Sequence, residues 1–531
     1  MNKISLTLFI LFGVFIDISA QTHFDVKTQE VIGVNHKFWQ AAGHDFLFSM
    51  SDEPAGKALL SRIKEYGSVR YLRTHATFSN DAKKGGEVVK FNADGTYTYD
   101  FSKVNKIYKS YLAYGIKPIV EFDFFPDKFA KSLGGDVNSE GFKGKNAEPR
   151  SWEEWGNLLN AFMTNLEITF GREELKTWYF EVWNEPDGWP AEHLDVFFRL
   201  YDTFAYVVKS HDKNYKVGGP ATFNIFALKT FLDHVIDGTN YITKTKGSPI
   251  DFISHHIYGL SGGWLALPPS ITPQVSRFSQ EILWIQRLLA TYKGLDNVEF
   301  HLNEWGVCSN FNREVKDFPQ LAYRNSEFSP LFMVKLVDCL YAIETNYKLK
   351  TSLMLYWGFA GEDVKDVMFI GNRELTTGGN TPKPILTGFE FLSKLASNRV
   401  KVTGNTPGER LGIIPTSDNE KTAILLYNFN ETDDDLDRFD KILLTVEGLK
   451  ANQTYQIEEF LMDRKENNSY GKWIAIGSPA KPGELPLDWK AKVSKLESSV
   501  HTTKTSVNGV LSIDNSLQRH SMKLLIISAN L

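Results

Sequence analysis

The chain has 531 residues, 42% of them hydrophobic and 23% charged, which is typical of a globular protein and leaves room for a large domain plus a second one. The formal net charge is −5 and no long basic run occurs, so neither nucleic acid nor an anionic membrane is indicated as a partner. Two cysteines, Cys308 and Cys339, are too few for a disulfide framework or a cysteine-based zinc site, and two unpaired thiols are expected.

The first twenty residues have the pattern of a secretory signal peptide. Lys3 gives a basic start, residues 4–16 are apolar, and Ile18-Ser19-Ala20 is a suitable cleavage site before Gln21. The apolar run is shorter than the ~20 residues that a membrane-spanning helix needs. No cysteine follows it, so we expect no membrane anchor. Residues 1–20 are therefore predicted to be removed from a secreted or periplasmic protein.

Strand-like and helix-like segments alternate from residue 33 to residue 397. Leu59, Leu60, Ile63 and Tyr66, for example, share one helical face, and Gly67 follows as a natural end. Strands are predicted near 38–42 and at 69–73, 117–122, 178–183, 216–220, 251–254, 298–302 and 352–356. Helices are predicted after Ser51 and at 104–114, 152–169, 194–208, 228–236, 279–292, 330–344 and 384–395.

Eight strands that alternate with helices favour a closed parallel (β/α)8 barrel over residues 33–397. An open doubly wound sheet would alternate in the same way, but no glycine-rich phosphate loop follows the first strand. After residue 398 the pattern changes to short β-type runs between polar loops, which indicates a β-sandwich over 398–531. Residues 21–32 could add a strand to that sandwich, because they precede the barrel.

Two predicted barrel strands end in the same way, with Asn184-Glu185 and Asn303-Glu304. Pro186 cannot continue a strand, so the first of these ends where its carboxylate lies. The carboxyl ends of barrel strands meet at one rim, where such barrels carry their active sites. We therefore predict that Glu185 and Glu304 face each other across one pocket. A lone glutamate is more often a solvated surface charge, but both of these follow apolar strands.

Paired carboxyl groups at one site are suited to cleaving a glycosidic bond. Glu185, flanked by Trp183 and Trp189, is predicted to stay protonated and act as the acid. Glu304 is predicted to stay ionised and act as the nucleophile, held by Tyr258 or Arg73.

Other polar residues at strand ends are candidates for binding the sugar. Asn184 is expected to donate a hydrogen bond to the sugar 2-hydroxyl. Glu121 and Asp123 also follow a predicted strand, and a helper role is expected for them. Adjacent residues on a strand point to opposite sides, so His255 and His256 are not expected to bind one metal ion. His256 and Tyr258, which share a face of their strand, are further candidates. His44, His75 and Trp357 are candidates as well, and the alternative for each of these three is a structural residue of the barrel core.

These motifs, taken in order, resemble glycoside hydrolase family 39, which includes β-xylosidases and α-L-iduronidases. The resemblance extends from about residue 30 to the C-terminus. It implies Glu185 as acid/base, Glu304 as nucleophile, Asn184, His256 and Tyr258 in the pocket, and His44 and His75 near the non-reducing sugar. We expect an oligosaccharide or polysaccharide as partner and no cofactor or metal. The matching segments are 69–80, 115–130, 178–187, 217–221, 254–258, 301–306 and 468–479.

The sequence departs from the family after the last predicted strand. Xylosidases of the family tend to have a loop rich in glycine and phenylalanine there, whereas this chain has Phe369-Ile370-Gly371-Asn372-Arg373-Glu374-Leu375. Arg373 could grip a sugar carboxylate, as in an iduronidase, or could be a surface arginine.

The expected function is a secreted, retaining, exo-acting glycoside hydrolase, β-xylosidase-like in the first instance. The near alternatives are an iduronidase-like or arabinoside-releasing enzyme of the same fold, and a hydrolase of another family in the same clan of (β/α)8 retaining hydrolases. A non-catalytic carbohydrate-binding barrel is the alternative of another class. The oligomeric state stays open.

Overall fold

The structure is a computed structural model that describes residues 21–45, 54–134, 143–188, 193–260, 272–295, 297–309, 314–359, 366–432 and 435–529. The predicted signal peptide and Trp189 lie outside these residues.

The first described element, β1 (Thr22–Val34), belongs to the C-terminal sheet, and the barrel follows it. Eight parallel strands close the barrel in the order β6-β7-β8-β9-β2-β3-β4-β5, which confirms the predicted fold class. The first barrel strand begins at Ala41, later than predicted, because Lys37 turns the chain in a left-handed conformation and accepts a hydrogen bond from the backbone N–H of Gln40. The barrel strands are β2 (Ala41–His44), β3 (Tyr71–Thr74), β4 (Lys117–Phe122), β5 (Tyr179–Val182), β6 (Lys216–Thr222), β7 (Phe252–Tyr258), β8 (Glu299–Gly306) and β9 (Thr351–Trp357).

Helices pack around the barrel, with apolar faces towards the strands. In α5, for example, Leu200, Phe204 and Val208 are buried. Local signals define several ends: the Ser151 side chain accepts a hydrogen bond from the backbone N–H of Glu154 at the start of α3, and Gly171 ends that helix. The helices are α1 (Pro54–Tyr66), α2 (Ser102–Ala113), α3 (Trp152–Phe170), α4 (Arg172–Leu175), α5 (Leu194–His211), α6 (Ile225–Asp237), α7 (Val275–Leu289), α8 (Phe328–Tyr347), α9 (Pro384–Ser393), α10 (Ser469–Ala475) and α11 (Trp489–Ser494).

The C-terminal region is a nine-stranded sheet in the order β15-β14-β17-β12-β11-β10-β1-β13-β16. It folds over itself, because β16 at one edge also contacts β17 and β12. The enclosed core includes Phe24, Ile424, Leu444 and Ile527. The strands are β10 (Asn398–Thr403), β11 (Leu411–Ser417), β12 (Thr422–Asn428), β13 (Phe439–Glu447), β14 (Thr454–Met462), β15 (Ser499–Lys504), β16 (Leu511–Gln518) and β17 (Ser521–Ala529).

Both faces of β12 are buried, and each packs against a different core. Ile424 and Leu426 point into the sandwich, whereas Leu425 and Tyr427 pack with the barrel's core. Alternate residues of a strand point to opposite faces, so one strand joins the two domains.

The segment that contains α10 and α11 packs behind a loop at the rim of the barrel. Tyr470 and Trp473 lie with ring centroids 5.1 and 5.0 Å from that of Phe369, and the indole of Trp489 donates to Thr381 at 3.1 Å. The C-terminal domain therefore supports the loop that carries Arg373.

Cys308 and Cys339 are both buried and unpaired with each other, as predicted. Among the described residues, none of the helices has the length and apolar character to cross a membrane.

Candidate active site

The strand register brings the predicted residues to one rim of the barrel. Gly43 pairs with Arg73 on one side and with Trp357 on the other. A Cβ on Gly43 would lie 1.9 Å from a ring carbon of Trp357, so only glycine lets that indole lie across the rim. On the other side of the barrel, His256 pairs with Glu304.

The chain bends sharply where it presents Glu185. β5 ends at Val182, and Trp183 and Glu185 then adopt positive φ angles of 67° and 50°. Non-glycine residues in that region cost on the order of 1–3 kcal/mol each and concentrate at functional sites. The backbone N–H of Glu185 donates to the carbonyl of Ala221 at 2.9 Å, which fixes the bend against β6.

Glu185 and Glu304 lie side by side across the rim. One carboxylate oxygen of each, with a ring nitrogen of His256, form a group whose atoms all lie within 4.8 Å of one another. His256 Nδ1 is 2.9 Å from Glu185 Oε1 and 3.5 Å from Glu304 Oε2. The side chain of Glu185 is 19% exposed and that of Glu304 is 3% exposed, so Glu185 faces the open side.

Arg73 is the central cation of the site and is fully buried. Its Nε donates to Glu181 Oε2 at 2.7 Å, and its Nη1 donates to Glu304 Oε1 at 3.0 Å. Its Nη2 reaches Glu121 Oε1 at 2.5 Å and Asn184 Oδ1 at 3.0 Å. Burial alone would lower the pKa of Arg73, but the surrounding carboxylates raise it, so the guanidinium stays charged.

Glu304 is held from its other side by Tyr258, whose hydroxyl donates to Oε2 at 2.9 Å. The two groups proposed from the sequence to hold Glu304, Arg73 and Tyr258, therefore both contact it. His75 Nε2 lies 3.7 Å from Glu304 Oε1.

The two carboxyl groups titrate as a pair, because one buried negative charge opposes the other at this distance. Burial and the charge of Glu185 raise the pKa of Glu304 to about 8, against the opposing effect of Arg73 and Tyr258. Burial also opposes ionisation of Glu185, but the hydrogen bond and charge of His256, with the charge of Lys145, lower its pKa on balance. The raised pKa of Glu304 and the lowered pKa of Glu185 favour a single proton for the pair at neutral pH.

This protonation differs from the sequence expectation, which gave Glu185 a raised pKa because apolar residues flank it in the chain. In space, Trp183 turns away and packs on Phe125, with ring centroids 4.7 Å apart. The polar groups His256 and Lys145 take its place beside the carboxylate, and Lys145 Nζ lies 4.0 Å from Glu185 Oε2.

The other strand-end carboxylates support the pair from below. Glu121 Oε2 lies 2.7 Å from His75 Nδ1, and Asp123 accepts the backbone N–H groups of Ala76 and Thr77, each at 3.1 Å. Burial raises the pKa of Glu121 well above its usual value and that of Asp123 to about 7. The helper role in catalysis expected for both residues stays a prediction.

Within the part of the chain that the structure describes, two groups of side chains are close enough to share a metal ion: His75 with Glu121 and Asp123, and His256 with Glu185 and Glu304. In both, the histidine Nδ1 already lies within hydrogen-bonding distance of a carboxylate. His255 points the opposite way from His256 and contacts Glu281 on α7 at 2.8 Å, so the adjacent histidines do not converge on one ion.

His44, His75 and Trp357 form one wall of the site. The ring centroids of His75 and Trp357 are 4.6 Å apart, and the Arg73 guanidinium lies 5.2 Å from the Trp357 ring. Burial and the charge of Arg373 lower the pKa of His44 to about 3, and burial with nearby cations lowers that of His75 well below its usual value. Both histidines are therefore neutral at physiological pH.

Comparison with known proteins shows the family. The sequence profile described as "Glycosyl hydrolases family 39" matches residues 24–504. The chain belongs to glycosyl hydrolase family 39. It is therefore an O-glycosyl hydrolase with a carbohydrate substrate.

Relatives extend over almost the whole chain. A β-xylosidase from Caldicellulosiruptor saccharolyticus is 24% identical over 506 residues, covering 92% of this chain and 95% of that protein. The crystal structure of a monomeric β-xylosidase from Caulobacter crescentus CB15 superposes with a TM-score of 0.77 at 22% identity, covering 96% of this chain and all of the other. A bacterial orthologue of human α-L-iduronidase superposes with a TM-score of 0.75 at 17% identity, covering 96% and 84%.

The loop 369–375 brings Arg373 to the wall formed by His44, His75 and Trp357. Arg373 is nearly buried and pairs with Asp45, which also accepts a hydrogen bond from the Trp357 indole at 3.2 Å. Burial lowers the pKa of Arg373 to about 10, and it remains charged. The surface alternative for this arginine is wrong, because the loop folds inward over the rim.

Sequence reasoning missed three residues of the site. Glu181 lies inside β5, where an apolar strand gave no reason to select a carboxylate, yet Ser254, Asn303 and Arg73 all donate to it. Lys145 is distant in sequence from every motif. Asp45 directly follows His44, and this adjacency was the one available signal.

Proposed function

We propose that this chain is a retaining, exo-acting glycoside hydrolase of β-xylosidase type. The observation that carries the proposal is the close approach of Glu185 and Glu304, with carboxylate oxygens within 4.8 Å. Retaining enzymes hold the two carboxyl groups about 5–5.5 Å apart, whereas inverting enzymes separate them by about 6.5–9.5 Å to admit a water molecule. The spacing favours direct attack by one carboxylate.

Glu304 acts as the nucleophile in this proposal, because Arg73 and Tyr258 fix both of its oxygens. Glu185 acts as acid and then as base, because it faces the open side where the leaving group departs. Glu304 forms a bond to the anomeric carbon as the glycosidic C–O bond breaks, and the departing oxygen takes a proton from Glu185. Water then attacks the same carbon and gives a proton to Glu185 as the bond between that carbon and Glu304 breaks, which restores both residues.

The pair's single proton must be on Glu185 when a sugar is bound. Positive charge that develops at the anomeric carbon favours ionisation of the facing carboxyl group, which is Glu304. Asn184 turns its Oδ1 towards Arg73 at 3.0 Å, so its amide nitrogen is the group available to donate to the sugar 2-hydroxyl.

Two measurements test this function. Proton NMR of the first product should show the anomer of the substrate, and first formation of the opposite anomer would refute retention. Glu185→Gln should slow glycosides with poor leaving groups far more than activated aryl glycosides, since the former need protonation. Asp187→Asn, which neutralises a neighbouring, partly buried carboxylate, should not acquire this dependence on the leaving group. Equal loss on all substrates in Glu185→Gln would contradict the assignment.

A second substrate class, the uronosides, is favoured by Arg373. A buried guanidinium beside His44 is suited to a sugar carboxylate, although Asp45 shares its charge. Initial rates on aryl xylosides, arabinosides, glucosides and iduronides decide between the candidates. Arg373→Gln should lower kcat/KM for an iduronide and leave that for a xyloside nearly unchanged if the uronoside is the substrate.

We also propose export of the chain through the segment 1–20. This proposal is supported by the basic residue Lys3, the apolar run that follows it and the small residues before Gln21. N-terminal sequencing of the mature protein should begin at Gln21, and recovery of intact Met1 from cells and medium would contradict export.

A further inference from the structure

A cavity of about 710 Å³ lies at the end of the barrel opposite the catalytic pair. Its walls come from the segments that lead into the N-terminal ends of β2, β3, β5, β8 and β9. Small-molecule sites in proteins have volumes of about 300–1,000 Å³. The cavity therefore has the size of a binding site, at a face of the barrel that normally serves stability.

The cavity is lined by more positive than negative charge. Lys37, Arg70, Lys348 and Lys350 line it, and none of the four is within 4.0 Å of a carboxylate among the described residues. Lys37 is partly buried, and its Nζ donates to a neutral acceptor, the carbonyl of Ser393, at 2.8 Å. Burial and nearby cations lower the pKa of Lys37. Of the four, Lys37 is the one whose side chain is partly removed from water, and an anionic ligand would offset the cost of burying it without a carboxylate partner.

The one carboxylate of the described lining, Glu299, is already neutralised. Lys216 Nζ lies 2.6 Å from its Oε1, and the Tyr179 hydroxyl donates to its Oε2 at 2.7 Å. Its charge therefore does not compensate the four cations.

Aromatic and amide groups complete the lining. Tyr71 and Tyr179 contribute rings 5.4 Å apart, and Tyr347, which is 58% exposed, lies at the rim beside Lys348. The Nε2 of Gln286 is buried with no hydrogen-bond acceptor in the part of the chain that the structure describes. Aromatic faces stack on sugar rings, and an unsatisfied amide donor suits a hydroxyl.

We infer that this cavity is a second binding site, separate from the catalytic pair, for a small saccharide that carries a carboxylate, sulfate or phosphate group. The acidic group pairs with Arg70 and Lys350, and the sugar ring packs against the tyrosines. The inference does not depend on which glycoside the active site cleaves.

Isothermal titration of the full chain tests the site with four probes: digalacturonate, glucose 6-phosphate, inorganic phosphate and maltose. An acidic sugar should bind once per chain with a Kd below about 1 mM, and maltose should not bind at this site. Arg70→Gln combined with Lys350→Gln should weaken binding at least about tenfold, because each removes a charge-assisted hydrogen bond. Both side chains are exposed, so folding should not be affected.

Two controls separate this cavity from other sites. Lys465→Gln with Lys490→Gln removes two exposed cations of the C-terminal domain and should leave the Kd unchanged. Arg373→Gln, at the catalytic rim, should also leave it unchanged. Equal binding of inorganic phosphate and glucose 6-phosphate would overturn the saccharide as occupant, because the sugar ring would then contribute nothing to binding. Absence of saturable binding by any anion at about 10 mM, or binding that survives the cavity double variant, would overturn the inference.

Discussion

Replacing Arg73 should expose how strongly the site depends on one buried cation. Its guanidinium contacts Glu121, Glu181 and Glu304, all buried. Removing one partner of a buried ion pair costs about 3–5 kcal/mol, because the other charge is left uncompensated. The loss of all three ion pairs should not cost three times as much, because Glu121 and Glu304 already have raised pKa values and can take up protons. We therefore expect Arg73→Met to lose about 3–5 kcal/mol of stability.

The loss should depend on pH. Carboxyl groups left without the guanidinium have folded-state pKa values above their unfolded values, so they are tolerated when protonated and destabilise the fold as pH rises through the folded pKa. The thermal midpoint of Arg73→Met should fall further below that of the unmodified protein at about pH 8 than at about pH 5.

Arg73→Lys separates charge from geometry. A lysine keeps the positive charge but cannot place donors on all the oxygens that the guanidinium spans, so kcat should fall about 10²- to 10³-fold. Arg399→Met is the matched control, since Arg399 is buried and pairs with Glu344 at 3.3 Å away from the site. It should lower the thermal midpoint and leave kcat intact. An unchanged thermal midpoint in Arg73→Met, or a loss that does not grow with pH, would refute the reasoning.

Three further changes test separate parts of the account. Tyr258→Phe removes a donor to Glu304, and a hydrogen bond to a charged group is worth about 1.5–3 kcal/mol, so kcat/KM should fall about 10- to 150-fold. Lys145→Met removes one positive charge that lowers the pKa of Glu185 against the effect of burial, so the acidic limb of the kcat/KM profile should move to higher pH; an unmoved limb would contradict this. Burial raises the pKa of Asp338 to about 7, so its contribution to stability is complete below its unfolded pKa of about 4 and is lost as pH rises through 7. The thermal midpoint should therefore decline between about pH 4 and pH 8, and Asp338→Asn should make this decline smaller. A decline of unchanged slope in the variant would show that other groups cause it.

Much of the barrel could be predicted because its strands are short apolar runs that end at glycine, proline or a polar residue. β4 was predicted at the residues where it occurs, and the Asn-Glu endings located Glu185 and Glu304 because strand ends share one rim. Arg73 and Tyr258 were identified as partners of Glu304 for the same reason.

The electrostatics of the site could not be predicted, because they depend on which side chains meet in space. Trp183 is adjacent to the catalytic segment in sequence but turns away, whereas Lys145 is distant in sequence and lies beside Glu185. Sequence neighbours therefore gave the wrong sign for the pKa shift of Glu185. The inward turn of Arg373 depends on Asp45 and on support from Tyr470 and Trp473, which belong to another domain.

Trapping the covalent intermediate distinguishes Glu304, proposed to attack the sugar, from Glu185, proposed to transfer the proton. The protein should be incubated with 2-deoxy-2-fluoro glycosides of xylose and iduronic acid that carry activated leaving groups, then digested and analysed by mass spectrometry. We expect one added glycosyl group per chain, on the peptide that contains Glu304, and no label in Glu304→Gln. Label on Glu185, or turnover of the natural glycoside with inversion and no label, would contradict it.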